Sequence, residues 1–415
     1  MESMDPTKQT WIWSQFGARQ HYAGPGELYR RGALEALITD TWVPPLHPLR
    51  LVPARRLQQR YSGRLCAARV YAWSWEAALL SASRWRKMGW WEAMMDQNRW
   101  FRRKTLDAAK RIACSKTQNR VVFSYNYTAH DLFRFAKEMG WTTVLDQIDP
   151  GPFENDLVRK LDEQYPELAL GTEPAPDVIW EEWRAEFAHA DRIVVNSEWS
   201  KAAFAAMGLA AGKIHVVPLS YRPPPEARGF QRAYPVQFTK ERPLRILFLG
   251  QINLRKGVAE ILDAARLVGP APVEFQMVGP IGIRVPPEAL VNPRMRWVGP
   301  VSRSDAARCF QQADVFLFPT HSDGFGLTQL EAQAWKLPIL ASTNCGKVVQ
   351  HNVNGMEMGA VSSEEIARLV TELVENPPRL WEMSLAAVDL AEFSAERFVD
   401  RLMSVAQTAH CLMSA

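Results

Sequence analysis

The sequence predicts a two-domain α/β protein in which each domain carries a parallel sheet. Three observations predict it. The chain has 415 residues, more than one hydrophobic core usually supports. Short apolar runs alternate with helix-period segments at the spacing that crossover connections need. The alternation breaks once, at a proline-rich stretch, and then resumes.

Residues 11–15 read as the first strand. Residues 120–125 (RVVFSY) form a strand, 129–140 a helix stopped by Gly140, and 142–145 a strand. A helix at 181–190, a strand at 192–196, a helix at 200–207 ended by Gly208, and a strand at 214–218 follow. Residues 219–243 hold Pro223, Pro224, Pro225, Pro235 and Pro243 and read as an interdomain linker. The second series has strands at 244–249, 273–278, 295–298, 314–319 and 338–342, with helices at 258–267, 304–312 and 327–336. A last helix spans 395–408. The expected division is 1–220, a linker at 221–243, 244–394, and a C-terminal helix at 395–415 that packs back on the first domain.

Hydrophobic residues at 47% and charged residues at 23% place the chain among ordinary globular proteins. Five scattered cysteines without a C-x-x-C pair argue against a disulfide framework or zinc ribbon and for a reducing compartment. No H-E-x-x-H or D-x-D run suggests a metal site, and none is expected. No leader pattern and no long apolar run are visible, so a cytoplasmic location is expected. Residues 81–120 hold eleven Lys/Arg interleaved with Trp85, Trp90, Trp91, Trp100 and Phe101. That mixture suits peripheral contact with the inner face of a membrane. It equally suits a solvated helix pair whose tryptophans face the core. No nucleic-acid module accompanies it.

The most informative segment is 319–342, PTHSDGFGLTQLEAQAWKLPILAS. A strand ends, a loop carries Asp323, Gly324, Phe325 and Gly326, and a helix starting at Leu327 carries Glu331. Glycines let a ligand approach the backbone, and the helix start favours negative charge. Eight residues separate the carboxylates, about 12 Å at ~1.5 Å per residue.

This segment resembles the donor-binding signature of family 4 glycosyltransferases, which have the GT-B fold: two Rossmann-like domains facing across a cleft. In the family, Glu-Gly-Phe-Gly is followed by a second Glu eight positions after the first. Asp323 stands for the first, and Glu331 matches the second. The resemblance implies that Glu331 binds the nucleotide's ribose. Residues 247–257, LFLGQINLRKG, look like the family's Lys-Gly element, with Lys256 as the diphosphate-contacting lysine. Gln251, after Gly250, stands where the family has Arg, and Arg255 is the candidate substitute. Val278–Gly279 and Val301 match turns that in the family lie near the base. Gly17 and Arg19 fall where the family has a glycine-rich loop near the phosphates, and Ser220 where it prefers glycine.

On the acceptor side Asn126 and Gln147 occupy positions where many members have His. His130 and Asp149 are the nearest candidates for handling the acceptor hydroxyl, so the catalytic set is Lys256, Asp323, Asp149 and His130. The resemblance implies metal-independent transfer from a nucleoside diphosphate sugar, with retention, to a carbohydrate or lipid-linked acceptor in polysaccharide or glycolipid assembly. No other cofactor is expected. A non-catalytic GT-B protein that binds a partner or glycan is the competing reading, favoured by Gln251, Asp323 and Asn126. An epimerase or phosphorylase on the same fold is another. A nicotinamide-dependent oxidoreductase would need G-x-G-x-x-G after a strand, which is missing.

Overall fold

The computed structural model describes residues 9–52, 55–84, 89–115 and 117–413. Trp85 of the basic-aromatic stretch lies outside the described residues. Among the described residues there are two all-parallel sheets.

The first sheet contains β1 (Thr10–Gln15), β2 (Leu34–Thr39), β3 (Val70–Tyr71), β4 (Arg120–Tyr125), β5 (Thr142–Gln147), β6 (Arg192–Val195) and β7 (Ile214–Val216), in the order β3-β2-β1-β4-β5-β6-β7. The second contains β8 (Leu244–Leu249), β9 (Val273–Val278), β10 (Met295–Gly299), β11 (Val315–Phe318), β12 (Ile339–Ser342) and β13 (Gly355–Met358), in the order β10-β9-β8-β11-β12-β13. Strand order reverses between β1 and β4 in one sheet and between β8 and β11 in the other. Open α/β sheets bind ligands outside the carboxyl ends at such points. Those ends lead into Phe16–Arg19, Asn126, Gly250–Gln251 and the loop at Asp323.

Every residue of β4 and β5 is buried, because helices cover both faces. Trp13 of β1 stacks on Phe123 of β4 with centroids 3.8 Å apart. The C-terminal helix Ala395–Met413 packs on this domain: Phe398, Val399 and Leu402 join the core around Trp11, Trp13 and Phe123. A Cβ on Gly24 would meet the Trp13 ring at 2.5 Å, so the helix that carries it must have a glycine there.

The proline-rich stretch is no free tether. Ala227 and Phe238 are buried, and Arg232 donates to the carbonyls of Phe310, Ala313 and Trp335. Several element ends also differ from the sequence reading. The helix at 181–190 begins at Asp177, whose carboxylate sits in the first turn after Pro176. The helix at 200–207 begins at Glu198, because the Ser197 hydroxyl caps it by accepting from the Ser200 amide at 3.1 Å. The helix at 327–336 ends at Ala334, and Lys336 turns the chain at φ +51° into β12.

Candidate functional site

Lys256 closes a short turn, Leu254–Lys256, that Asn253 caps by accepting from the Lys256 amide at 3.2 Å. Gly257 follows at φ +73°, and a Cβ there would meet the Pro319 carbonyl at 2.0 Å. Only glycine fits both demands, so the lysine turn seats directly on the carboxyl end of β11. The Lys256 ammonium then pairs with Asp323 and lies over the Phe318 ring, 5.2 Å from its centroid.

Asp323 is fixed by its neighbours. Its Oδ1 accepts from the Phe325 amide at 3.0 Å, and its own amide donates to the Asn344 carbonyl at 3.0 Å. Burial works to raise this carboxyl, but Lys256 and Arg255 outweigh it and hold it below the usual range. Burial lowers the Lys256 ammonium, against the pull of Asp323. Gly326, at φ +82°, starts the helix Leu327–Ala334, and a Cβ there would strike the Phe318 ring.

The two domains meet at this loop. A Cβ on Gly324 would lie 2.2 Å from the Ile148 carbonyl. Arg255 stands 3.3 Å from Glu154 and donates to the Ser322 carbonyl at 2.6 Å. The Ser322 hydroxyl donates to Glu154 at 2.7 Å, and Trp199 donates to Ser322 at 3.3 Å. Beside this junction lies a cavity of about 610 Å³ between the domains. Arg19, Asn126, Asp149, Glu154, Gln251 and Arg255 line it, together with aromatic residues. Asp149 Oδ1 accepts from the Tyr127 hydroxyl at 3.1 Å and the Gly151 amide at 2.8 Å. Burial raises its carboxyl, against those bonds and the fields of Arg19 and Arg255. Burial likewise raises Glu154 against Arg255. Both carboxyls thus hold a proton more readily than an exposed carboxylate does.

The structure thus brings Arg19, Asn126, Asp149, Gln251, Arg255, Lys256, Asp323 and Gly324 around one junction. Gly17 shapes the neighbouring turn by donating to Asp40 at 2.8 Å, and Arg19 lies over the Tyr125 ring. Gly250 and Gly279 touch: a Cβ on Gly279 would sit 1.8 Å from the Gly250 carbonyl. Val278 and Phe325 are core residues, and Val301 and Leu327 pack against that core, so none of the four turns its side chain to the cavity. Glu331 has separate surroundings; burial raises its carboxyl and Arg303 opposes this. His130 is not brought to the junction, since its Nδ1 contacts Arg102 and Asp131, each at 3.0 Å. Gln147 sits one layer back and accepts from Trp183 Nε1 at 3.1 Å.

Sequence reasoning missed Glu154 and Glu186. Glu186 is buried and accepts from the amides of Tyr127, Ala129 and His130 at 2.8, 2.7 and 3.3 Å. It holds Tyr127 at φ +68°, a strained conformation that aims the hydroxyl at Asp149. No local motif announces either residue. The basic-aromatic stretch also resolves: Trp100 and Phe101 face the core, Arg102 pairs with Asp131 and Glu182, and Trp90 and Trp91 line the cavity.

Two parallel-sheet domains, with the lysine turn of one against the segment that follows β5 in the other, have the GT-B fold. Solved structures share the fold across the whole chain. Anabaena HepE in complex with UDP-glucose has a TM-score of 0.59 at 14% identity, covering 98% of this chain and 100% of that one. A variant of S. aureus TarM in complex with fondaparinux, α-GlcNAc-glycerol and UDP has a TM-score of 0.59 at 9% identity, covering 96% and 100%. Residues 243–376 match the family model described as "Glycosyl transferases group 1". The likeness to family 4 glycosyltransferases is borne out over this second domain. D-inositol 3-phosphate glycosyltransferase of Mycolicibacterium paratuberculosis is 27% identical over 254 residues, 57% of this chain and 57% of that protein. The Mycobacterium bovis protein of the same name is 28% identical over 260 residues, 57% and 52%. The match thus spans little more than half the length of these relatives.

Proposed function

We propose that the chain is a retaining glycosyltransferase that moves a sugar from a nucleoside diphosphate sugar to an acceptor hydroxyl, in polysaccharide or glycolipid assembly. The observation that carries this is the Lys256–Asp323 pair at the carboxyl end of β11, beside the junction where Arg255 meets Glu154 of the other domain. The bond from the anomeric carbon to the diphosphate breaks, and the bond to the acceptor oxygen forms. Lys256 and Arg255 stabilise the charge that collects on the departing diphosphate. The acceptor's proton passes to a leaving phosphate oxygen, and Asp149 orients the hydroxyl. In this account Glu331 holds the ribose and Asp323 a hydroxyl of the donor sugar, and no metal takes part. Closure at Gly324 keeps water from the donor. The proposed location is the cytoplasm. Among the described residues no helix is long and apolar enough to cross a membrane.

The test is incubation with UDP-, GDP- and ADP-sugars and a mixture of simple glycosides, followed by mass analysis. A new glycoside one hexose heavier, with matching nucleotide release, supports transfer. Nucleotide binding without release or product would favour the partner-binding reading instead.

A further inference from the structure

The segment between β5 and β6 belongs to the first half by sequence and to the second domain by packing. Leu161 of the helix Pro152–Gln164, with Leu168 and Ala169 after it, is buried in the same core as Phe248, Leu254 and Ile283. Leu157 and Tyr165 pack against that core, and the Arg284 amide donates to the Leu168 carbonyl at 2.8 Å. Gly151, at φ +55°, and Gly171, at φ +85°, bracket the segment. A Cβ on Gly151 would lie 2.8 Å from the Trp183 ring, so this end is seated on the first domain. Residues 152–171 are thus a strap that leaves one domain, docks on the other and returns.

The strap reaches the Asp323 loop through one buried side chain. Glu260, on the helix Val258–Leu267, is 6% exposed. Its Oε1 accepts from the Tyr165 hydroxyl at 3.1 Å and lies 2.8 Å from His321 Nε2. Its Oε2 is buried and has no hydrogen-bond partner, so both contacts converge on one oxygen. A buried carboxyl is tolerated only through the hydrogen bonds it keeps, so the three side chains hold together. His321 stands two residues before Asp323, and its amide donates to the Arg255 carbonyl at 2.8 Å. The imidazole therefore lies between the strap's anchor and the turn that carries Arg255 and Lys256.

We propose that Glu260 is a positioning residue: it ties the docked strap to His321 and so fixes where the Asp323 loop and Arg255 stand. It does not line the cavity and acts only through its two neighbours. Of the transfer reading above, this takes only that the Asp323 loop meets the donor; the tie itself is independent of it.

Hydrogen exchange of the full chain, followed by mass spectrometry, reads the amides of residues 320–325 without any ligand. Tyr165→Phe keeps the packing of the ring and removes only the hydroxyl. It should speed exchange of the loop about fivefold, and Glu260→Ala about tenfold. Glu260→Gln can still accept from both neighbours and should stay within about twofold of wild type. Tyr234→Phe removes a comparable hydroxyl, which donates to the Asp314 carbonyl at 3.2 Å, and should leave the loop as it is. In the Glu260→Ala background, Tyr165→Phe should add nothing. If Glu260→Ala does not fold, Tyr165→Phe decides alone. Unchanged loop exchange in Tyr165→Phe overturns the inference. So does equal loosening by Tyr234→Phe, or a double variant whose effects add in full. Titration of UDP, GDP and ADP into the same proteins tests the transfer reading separately: if none binds, that reading fails, and the exchange result still decides the tie.

Discussion

Arg255 and Glu154 come from different domains and meet at 3.3 Å beside the cavity. The guanidinium is held there by the Ser322 carbonyl, and Gln251 lines the same cavity. Arg255→Ala should weaken nucleoside diphosphate binding about tenfold or more, since a charged hydrogen bond contributes about 1.5–3 kcal/mol. Gln251→Ala should change it less than about twofold. Equilibrium titration of both variants decides; equal effects would show that Arg255 does not take the arginine's place.

Removing Asp323 leaves a buried ammonium without its carboxylate, which costs about 3–5 kcal/mol where the site stays dry. Asp323→Ala should lower kcat at least about a hundredfold, and Asp323→Glu should keep most of it. Lys256 titrates below its ordinary 10.5 because burial disfavours its charge. The alkaline limb of nucleotide affinity should therefore fall below pH 10.5. At the acid end, Asp323 is held below 3.8, so its contribution is present above that value and is lost as pH falls through the lower folded one. A pH profile of binding flat beyond 10.5 would contradict the burial-lowered ammonium.

Asp146 is fully buried at the end of β5, where burial pushes its carboxyl up to about 7. The folded state then keeps a proton that the unfolded chain loses near 3.8. Its contribution is whole below that pH and is lost between about 4 and 7, on the order of a few kcal/mol. Asp146→Asn does not titrate. Urea unfolding at a series of pH values should show wild type losing stability relative to the variant across that window. Parallel curves would place an ionised Asp146 in the folded protein.

Gly324→Ala puts a methyl group against the Ile148 carbonyl, 2.2 Å away in the present geometry. Forcing the loops apart should cost about 1–3 kcal/mol of closure. The expected result is at least tenfold loss of turnover with little change in thermal unfolding. A variant with normal turnover would show that this contact is dispensable.

The second domain was legible because its signals are local. The strand at 244–249, the lysine turn and the Asp323 loop each lie within about ten residues, and glycine punctuates them. The stretch from 16 to 120 was not. β2 reads LEALIT, rich in helix formers, and β3 has two residues, so neither carries a strand's period. Pairing of β2 with β1, and of β3 with β2, makes them strands. The site divides the same way. Lys256 and Asp323 follow a motif, while Glu154, Glu186 and the tryptophans that line the cavity are set by which helices the fold brings to the cleft.

The central claim is that this cleft binds a nucleoside diphosphate sugar. Calorimetric titration of UDP, GDP and ADP into wild type, Lys256→Ala and Glu331→Ala tests it most directly. The account predicts clear binding of one nucleotide, weakened at least tenfold (~1.4 kcal/mol) by each substitution. A folded protein that binds none of the three, or binds one equally well in all variants, would contradict it.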